Sequence, residues 1–363
     1  MKLSVSLSEE DVATLDDEVC RTGLSGRSAA VVKAIQLLRS RALEDAYEQA
    51  WQECDTAPFG SRRGSDVELR FGIQLAPKVE QLGEIRRLAR IADAEGLDLL
   101  GIQDHPYAGE LADTFTVIST VLAETERLRV FPDVASLPLR GPAMLGKQAA
   151  TLDLVSGGRF ELALGAGAFW QGIAAMGGPS RTNPEALQAL EEATAIIRAM
   201  WVPGAKATVR GEHYSVSGVQ SGPAPAHPVG IWFGSVGPKA NALTGRIADG
   251  WAAPIPHYLP YEKWSAAQET ISQSAADAGR DPADIMRMAQ LVGTVTDGPG
   301  SVSLRGEDPI HTDAAGWARI LADLAQGTGF DTFVLWPESQ DETQLRRWTS
   351  EVVPATRALV QVS

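Results

Sequence analysis

Four short stretches of this chain combine residue types that can do chemistry, and each follows a β-rich run. Asp104-His105-Pro106 comes after Leu97-Asp98-Leu99-Leu100-Gly101-Ile102-Gln103. A carboxylate beside an imidazole can hold a polar ring edge and shuttle a proton near neutral pH. Phe131-Pro132-Asp133-Val134 opens a segment ending at Arg140-Gly141-Pro142, with three prolines in eleven residues. Such spacing enforces extended backbone until Pro142, which suits a first helical position. Phe160-Glu161-Leu162-Ala163-Leu164 runs into Gly165-Ala166-Gly167-Ala168-Phe169-Trp170. Gly165 and Gly167 let backbone amides approach a ligand closely, while Phe169 and Trp170 offer flat apolar walls. Ile231-Trp232-Phe233 leads to Gly234-Ser235-Val236-Gly237-Pro238-Lys239. With Pro238 first in a helix, the Val236 and Gly237 amides and the Ser235 hydroxyl meet the positive helix end, a cradle for an anion.

Positioning these stretches requires a scaffold that brings strand ends together. β-rich runs are expected at 68–75, 97–103, 128–135, 159–164, 229–233, 248–253, 286–295 and 331–336. Amphipathic stretches lie between them, such as 80–95 with Leu82, Ile85, Leu88, Ala89 and Ala92 on one side. Eight strand–helix units predict an α/β fold, a (β/α)8 TIM barrel, whose active sites lie at the C-terminal ends of its strands. All four stretches occupy that position. Residues 203–228 read as an inserted loop with a small hairpin, and 297–312 as a long loop after the seventh strand.

A polar, turn-rich stretch at 53–66 reads as a linker, which predicts a small module at 1–52 and a barrel at 67–363. Lys2 to Leu7 alternates like a half-buried strand. Ser8 with Asp11 starts a helix through Val12, Leu15 and Val19, and Ser28 precedes a second apolar stripe. So small a unit cannot bury enough surface alone, so pairing with a second copy is expected.

Net charge is −14, from 32 basic and 46 acidic residues, which argues against broad nucleic-acid or membrane binding. Two cysteines make no disulfide framework, and a reducing cytoplasm is the expected location. No apolar run is long enough for a membrane span, and the N-terminus does not read as a signal peptide. The five histidines show no close ligand spacing, so no metal site is expected.

Two resemblances follow from these motifs. Leu137-Pro138-Leu139-Arg140, Lys147 to Asp153, Ser156-Gly157-Gly158-Arg159 and Gly234 to Trp251, in this order, resemble the luciferase-like superfamily, across nearly all of 69–340. That family includes bacterial luciferase, flavin mononucleotide (FMN) monooxygenases and coenzyme F420 enzymes. The resemblance implies a flavin- or deazaflavin-dependent oxidoreductase acting on a small organic substrate. Asp104 and His105 match the pair near the deazaflavin ring, with the histidine as catalytic proton carrier, which inclines the reading toward coenzyme F420. Asp133-Val134 falls where the family often has a non-prolyl cis peptide behind the ring. Gly165, Gly167 and Ala168 match the cofactor-lining segment, and Ser235, Val236 and Gly237 the phosphate segment. Phe169 and Trp170 would then face substrate. Trp170 replaces the acid of the family's sugar-phosphate dehydrogenases, so that substrate is not carried over.

Residues 1–52 resemble the ribbon-helix-helix fold of MazE-type antitoxins, which implies a homodimer. The family's DNA-facing positions would be Lys2, Ser4 and Ser6, with Arg27 and Ser28 at a phosphate. Up to residue 43, however, six basic residues face six acidic ones, a weak footprint for DNA. The competing functional reading is a DNA-binding regulator whose barrel senses a cofactor or metabolite.

Overall fold

The computed structural model describes residues 8–22, 24–34 and 68–361. The chain divides into two compact units, Met1–Asp55 and Thr56–Ser363. In the first, helix α1 (Glu9–Thr22) opens with a reciprocal cap. The Ser8 amide donates to Asp11 at 3.0 Å, and the Asp11 amide donates to Ser8 Oγ at 3.1 Å. A second helical stretch, α2, covers 27–34. Arg27 pairs with Asp16, and Lys33 with Glu18, so the basic groups lean on α1's acids. Ser28 is exposed in the first turn of α2. Lys2, Ser4 and Ser6, and the strand expected around them, lie outside the described residues.

In the second unit, parallel strands β1 (Arg70–Leu75), β2 (Leu99–Ile102), β3 (Arg129–Pro132), β4 (Ala135–Ser136) and β5 (Leu162–Gly165) form one side of a barrel. After a separate antiparallel hairpin, β6 (Lys206–Arg210) and β7 (Ser215–Gln220), come β8 (Ile231–Phe233), β9 (Gly250–Ala253), β10 (Met286–Val295), β11 (Ile310–Thr312) and β12 (Thr332–Pro337). Pairing runs β3-β2-β1-β12-β10-β9-β8-β5-β4. β3 and β4 are two halves of one expected strand, parted by a cis peptide at Asp133-Val134. A parallel bridge from Val130 to Phe160 closes β3 onto the start of β5's strand, so the sheet meets itself. The expected barrel is therefore the observed architecture, with its third strand broken.

Its helices include α3 (Leu82–Ala94), α4 (Thr114–Glu124), α5 (Pro142–Ser156), α6 (Trp170–Ala175), α7 (Asn183–Trp201) and α8 (Pro238–Ile247). The expected stripe on α3 is buried at Ile85, Leu88, Ala89 and Ala92. Burial of that stripe, rather than helix propensity, holds such a helix in place. One expectation changes: the 297–312 loop ends in β11, which pairs with the outer end of β10. Gly293 permits this approach, since a Cβ there would lie 2.1 Å from the Ile310 carbonyl oxygen.

Inward-facing side chains alternate along each strand and stack in layers. The lower layers are apolar: Leu99, Phe131, Ala163, Trp232, Ala252, Met288 and Val334 pack together. Two residues further along β1, β10 and β12 stand Gln74, Gln290 and Trp336, and Asp133 follows Phe131 by the same step. The barrel core thus turns polar toward the C-terminal ends.

Candidate active site

Asp133 and Val134, at the break between β3 and β4, take different roles. Val134 fits between two glycines: a Cβ on Gly165 would lie 2.8 Å from Val134 Cγ2, and one on Gly234 3.2 Å from both its methyl groups. These glycines give space to a neighbouring side chain, whereas the sequence leads us to expect Gly165 to bring backbone amides to a ligand. Asp133 points into the polar layer and is buried, where Gln290 donates Nε2 to its Oδ1 at 2.8 Å. Its Oδ2 and the buried Gln74 Nε2 have no hydrogen-bond partner. Burial outweighs the Gln290 bond and pushes the Asp133 carboxyl up to about 7.

A cleft of about 370 Å³ is lined by Lys78, Gln103, His105, Tyr107, Phe169 and Tyr258 among others. His105 is half-buried, and burial lowers its pKa against the opposing pull of the Asp104 charge. The ring is therefore held neutral at neutral pH. Asp104 itself turns away from the cleft. Its carboxylate accepts from Arg140 Nε at 2.9 Å, from Arg140 Nη2 at 2.7 Å and from the Ser136 amide at 2.8 Å. A buried carboxylate needs such partners. Asp104 thus locks the His105 loop to the β4 segment, where the sequence reading placed it against a cofactor ring edge. Arg140 also reaches Asp113, at the start of α4, and lies over the Phe115 ring.

Phe169 lines the cleft and packs on Tyr107 with ring centroids 5.2 Å apart. Trp170 instead covers Gly167, where a Cβ would sit 2.7 Å from its ring, and it is not among the cleft residues. Ala168 is exposed at this turn. At α8, Pro238 is the first helical residue, no side chain caps the helix, and Val236 is exposed. Ser235 departs from the expected exposed hydroxyl. It is buried, donates to Asn241 Oδ1 at 2.9 Å and accepts from Thr244 Oγ1 at 2.9 Å. Its hydroxyl staples α8 to β8, leaving the backbone to meet any anion.

Sequence reasoning missed Tyr107, Gln290, Gln74 and the clamp by Arg140. Gln74 and Gln290 carry a signal in strand alternation, since each follows an inward residue by two positions. Tyr107 had only its nearness to His105. Among the described residues, no cluster of three or more His, Cys, Asp or Glu side chains could hold a metal ion. None of the helices described is long and apolar enough to cross a membrane.

The chain is similar to several known proteins. The chain is 29% identical over 191 residues to an F420-dependent glucose-6-phosphate dehydrogenase of Microbacterium testaceum (strain StLB037), covering 51% of this chain and 56% of that protein. It is 30% identical over 217 residues to a 5,10-methylenetetrahydromethanopterin reductase of Methanolobus tindarius, covering 60% and 63%. The chain therefore spans less than two thirds of the length of these curated relatives. Among solved structures, it resembles the coenzyme F420 dependent tetrahydromethanopterin reductase of Methanopyrus kandleri. The TM-score is 0.67 at 19% identity, over 79% of this chain and 99% of that one. An F420-dependent secondary alcohol dehydrogenase in complex with an F420-acetone adduct gives 0.68 at 19% identity, over 80% and 99%. The profile of the luciferase-like monooxygenases matches residues 67–305, and the chain belongs to that family.

Proposed function

We propose that the barrel is a flavin-type oxidoreductase that holds FMN or coenzyme F420 and carries out hydride transfer or monooxygenation on a small organic substrate. The observation that carries this reading is Val134, wedged between Gly165 and Gly234 past the ends of the barrel strands, on the same C-terminal side from which the His105 loop leaves β2. A planar ring needs an uncharged floor with backbone close by, and this wedge supplies one. The uncapped start of α8, at Val236 and Gly237, suits the cofactor's phosphate. Such a cofactor brings the hydride-carrying ring and, as reduced FMN, the means to activate oxygen.

The chain's own residues position and exchange protons. Asp133 and Gln290 support the wedge from below, Phe169 walls the cleft, and Asp104 with Arg140 fixes the loop of His105. His105, kept neutral by burial, exchanges a proton with the bound cofactor or substrate. The relatives named for coenzyme F420 favour that cofactor over FMN. Trp170, drawn back onto Gly167, leaves the substrate wall to Phe169 and Tyr107. Spectroscopic titration with FMN and with coenzyme F420, oxidised and reduced, tests the reading. Micromolar binding of one is expected, and binding of neither would contradict it.

We infer further that residues 1–52 are a ribbon-helix-helix-like module, that 53–66 link it to the barrel at 67–363, and that the protein is a cytoplasmic homodimer. Arg27 is committed to Asp16 and Lys33 to Glu18, which weighs for a dimerising role over DNA recognition.

A further inference from the structure

Tyr107 takes no part in the proton exchange assigned to His105, yet it is the side chain that the imidazole touches most specifically. The Tyr107 hydroxyl lies 2.8 Å from His105 Nδ1, and the two rings tilt together with centroids 5.5 Å apart. That contact is the only hydrogen bond of either side chain among the described residues. His105 Nε2 is therefore the nitrogen left for a ligand in the cleft.

The hydroxyl is held in place from behind. Phe169 packs on the Tyr107 ring, and both rings lie against Gly172 of α6. A Cβ at Gly172 would fall 2.5 Å from Phe169 Cδ1 and 2.8 Å from Tyr107 Cγ. This small residue thus admits the tyrosine that reaches the histidine. Burial raises the Tyr107 phenol, so it keeps its proton across the neutral range. A phenol is a stronger donor than a neutral imidazole N–H, and a bare imidazole nitrogen is a good acceptor. These acidities favour a hydrogen bond donated by the Tyr107 hydroxyl to Nδ1.

We propose that Tyr107 is the positioning residue for His105: its hydroxyl occupies Nδ1, fixes the ring plane and keeps the proton of the neutral ring on Nε2, facing the cleft. His105 then meets its ligand as a hydrogen-bond donor with one orientation. Its other charged or titratable neighbours do not compete for Nδ1. Asp104 is spent on Arg140, and Lys78, Glu110 and Tyr258 line the cleft without a hydrogen bond to the ring. This inference rests on the proposed role of His105, but the ring's state can be measured without cofactor.

The test is nitrogen NMR of the histidine side chains in the full-length protein, above the His105 pKa, with His105→Gln to assign the signals. The wild type is expected to show one fixed tautomer, with Nε2 protonated and Nδ1 accepting a hydrogen bond. In Tyr107→Phe the Nδ1 signal is expected to move toward that of a free imidazole nitrogen, with the ring exchanging between tautomers. Gly172→Ala, which keeps the hydroxyl but displaces its ring, is expected to move the same signal the same way. Circular dichroism checks that both variants fold. A proton on Nδ1 in the wild type, or an Nδ1 signal unmoved in Tyr107→Phe, would overturn the proposal. A parallel titration separates the two readings. A fixed ring in a protein that binds neither FMN nor coenzyme F420 supports the positioning role and contradicts the oxidoreductase reading.

Discussion

At the scale of single residues, the site is governed by how each buried polar group finds a partner. Asp104 finds three donors and becomes an anchor, whereas Asp133 finds one and is left poised. This difference makes a testable pH signature. Asp133 is raised from 3.8 to about 7, so its folded form binds a proton more tightly than the unfolded chain does. Its stabilising contribution is complete below about pH 4 and is lost as pH rises through about 7. Over that window the loss is on the order of 4 kcal/mol. Asp133→Asn keeps an acceptor for Gln290 and removes the charge. We expect the variant to melt above the wild type at pH 8 and level with it near pH 4. Equal melting temperatures at both pH values would show that the carboxyl is not desolvated. The strand ends that carry Asp133 and His105 could be read from the sequence. The direction each side chain takes past the strand end could not. Ser235 turns inward because Asn241 and Thr244 of α8 wait beneath it, a contact no local pattern records.

At the scale of elements, the opposite end of the barrel is tied by a buried ionic cluster. His227 Nδ1 meets Asp153 Oδ1 at 2.7 Å, at the end of α5, and Nε2 meets Glu161 Oε1 at 2.9 Å, just before β5. Arg129 of β3 also donates to Glu161. Burial alone would lower the imidazole pKa, but the bonds to Asp153 and Glu161 outweigh it and push it up to about 9. Because the folded value lies above the unfolded one, the stabilisation is full below about pH 6.5 and is lost as pH rises through about 9. His227→Gln takes the cation from buried Asp153 and leaves Glu161 with Arg129 alone, a loss of roughly 3–5 kcal/mol at pH 6. We expect the variant's deficit in chemical denaturation to shrink between pH 6.5 and 9; a deficit independent of pH would exclude a charged His227. The histidine's place beside a proline in a loop did not show this role. Its partners lie 74 and 66 residues away. By contrast, strand and helix types came through well. Alternation and helical stripes are local, so α3, the β6–β7 hairpin and the eight barrel positions follow from them. The break between β3 and β4 had a signal only in the family motif.

At the scale of the whole molecule, two units of different character share one chain. A front segment of this size has little surface to bury alone, and among its described residues Arg27 and Lys33 are engaged with Asp16 and Glu18. Sedimentation of the full chain should therefore show a dimer, and a monomer at micromolar concentration would contradict the dimerising module. The barrel carries the proposed chemistry. Its lower core is apolar, while its upper layer carries the buried polar groups of Gln74, Asp133 and Gln290. In the proposed complex a flavin-type ring rests on Val134. The most direct measurement compares binding of reduced FMN and coenzyme F420 to the wild type and to Val134→Asp, which puts a charge on that floor. We expect micromolar binding of one cofactor by the wild type and at least about tenfold weaker binding by the folded variant, a difference of about 1.4 kcal/mol. Equal affinities for wild type and variant would place the ring elsewhere and contradict the proposal.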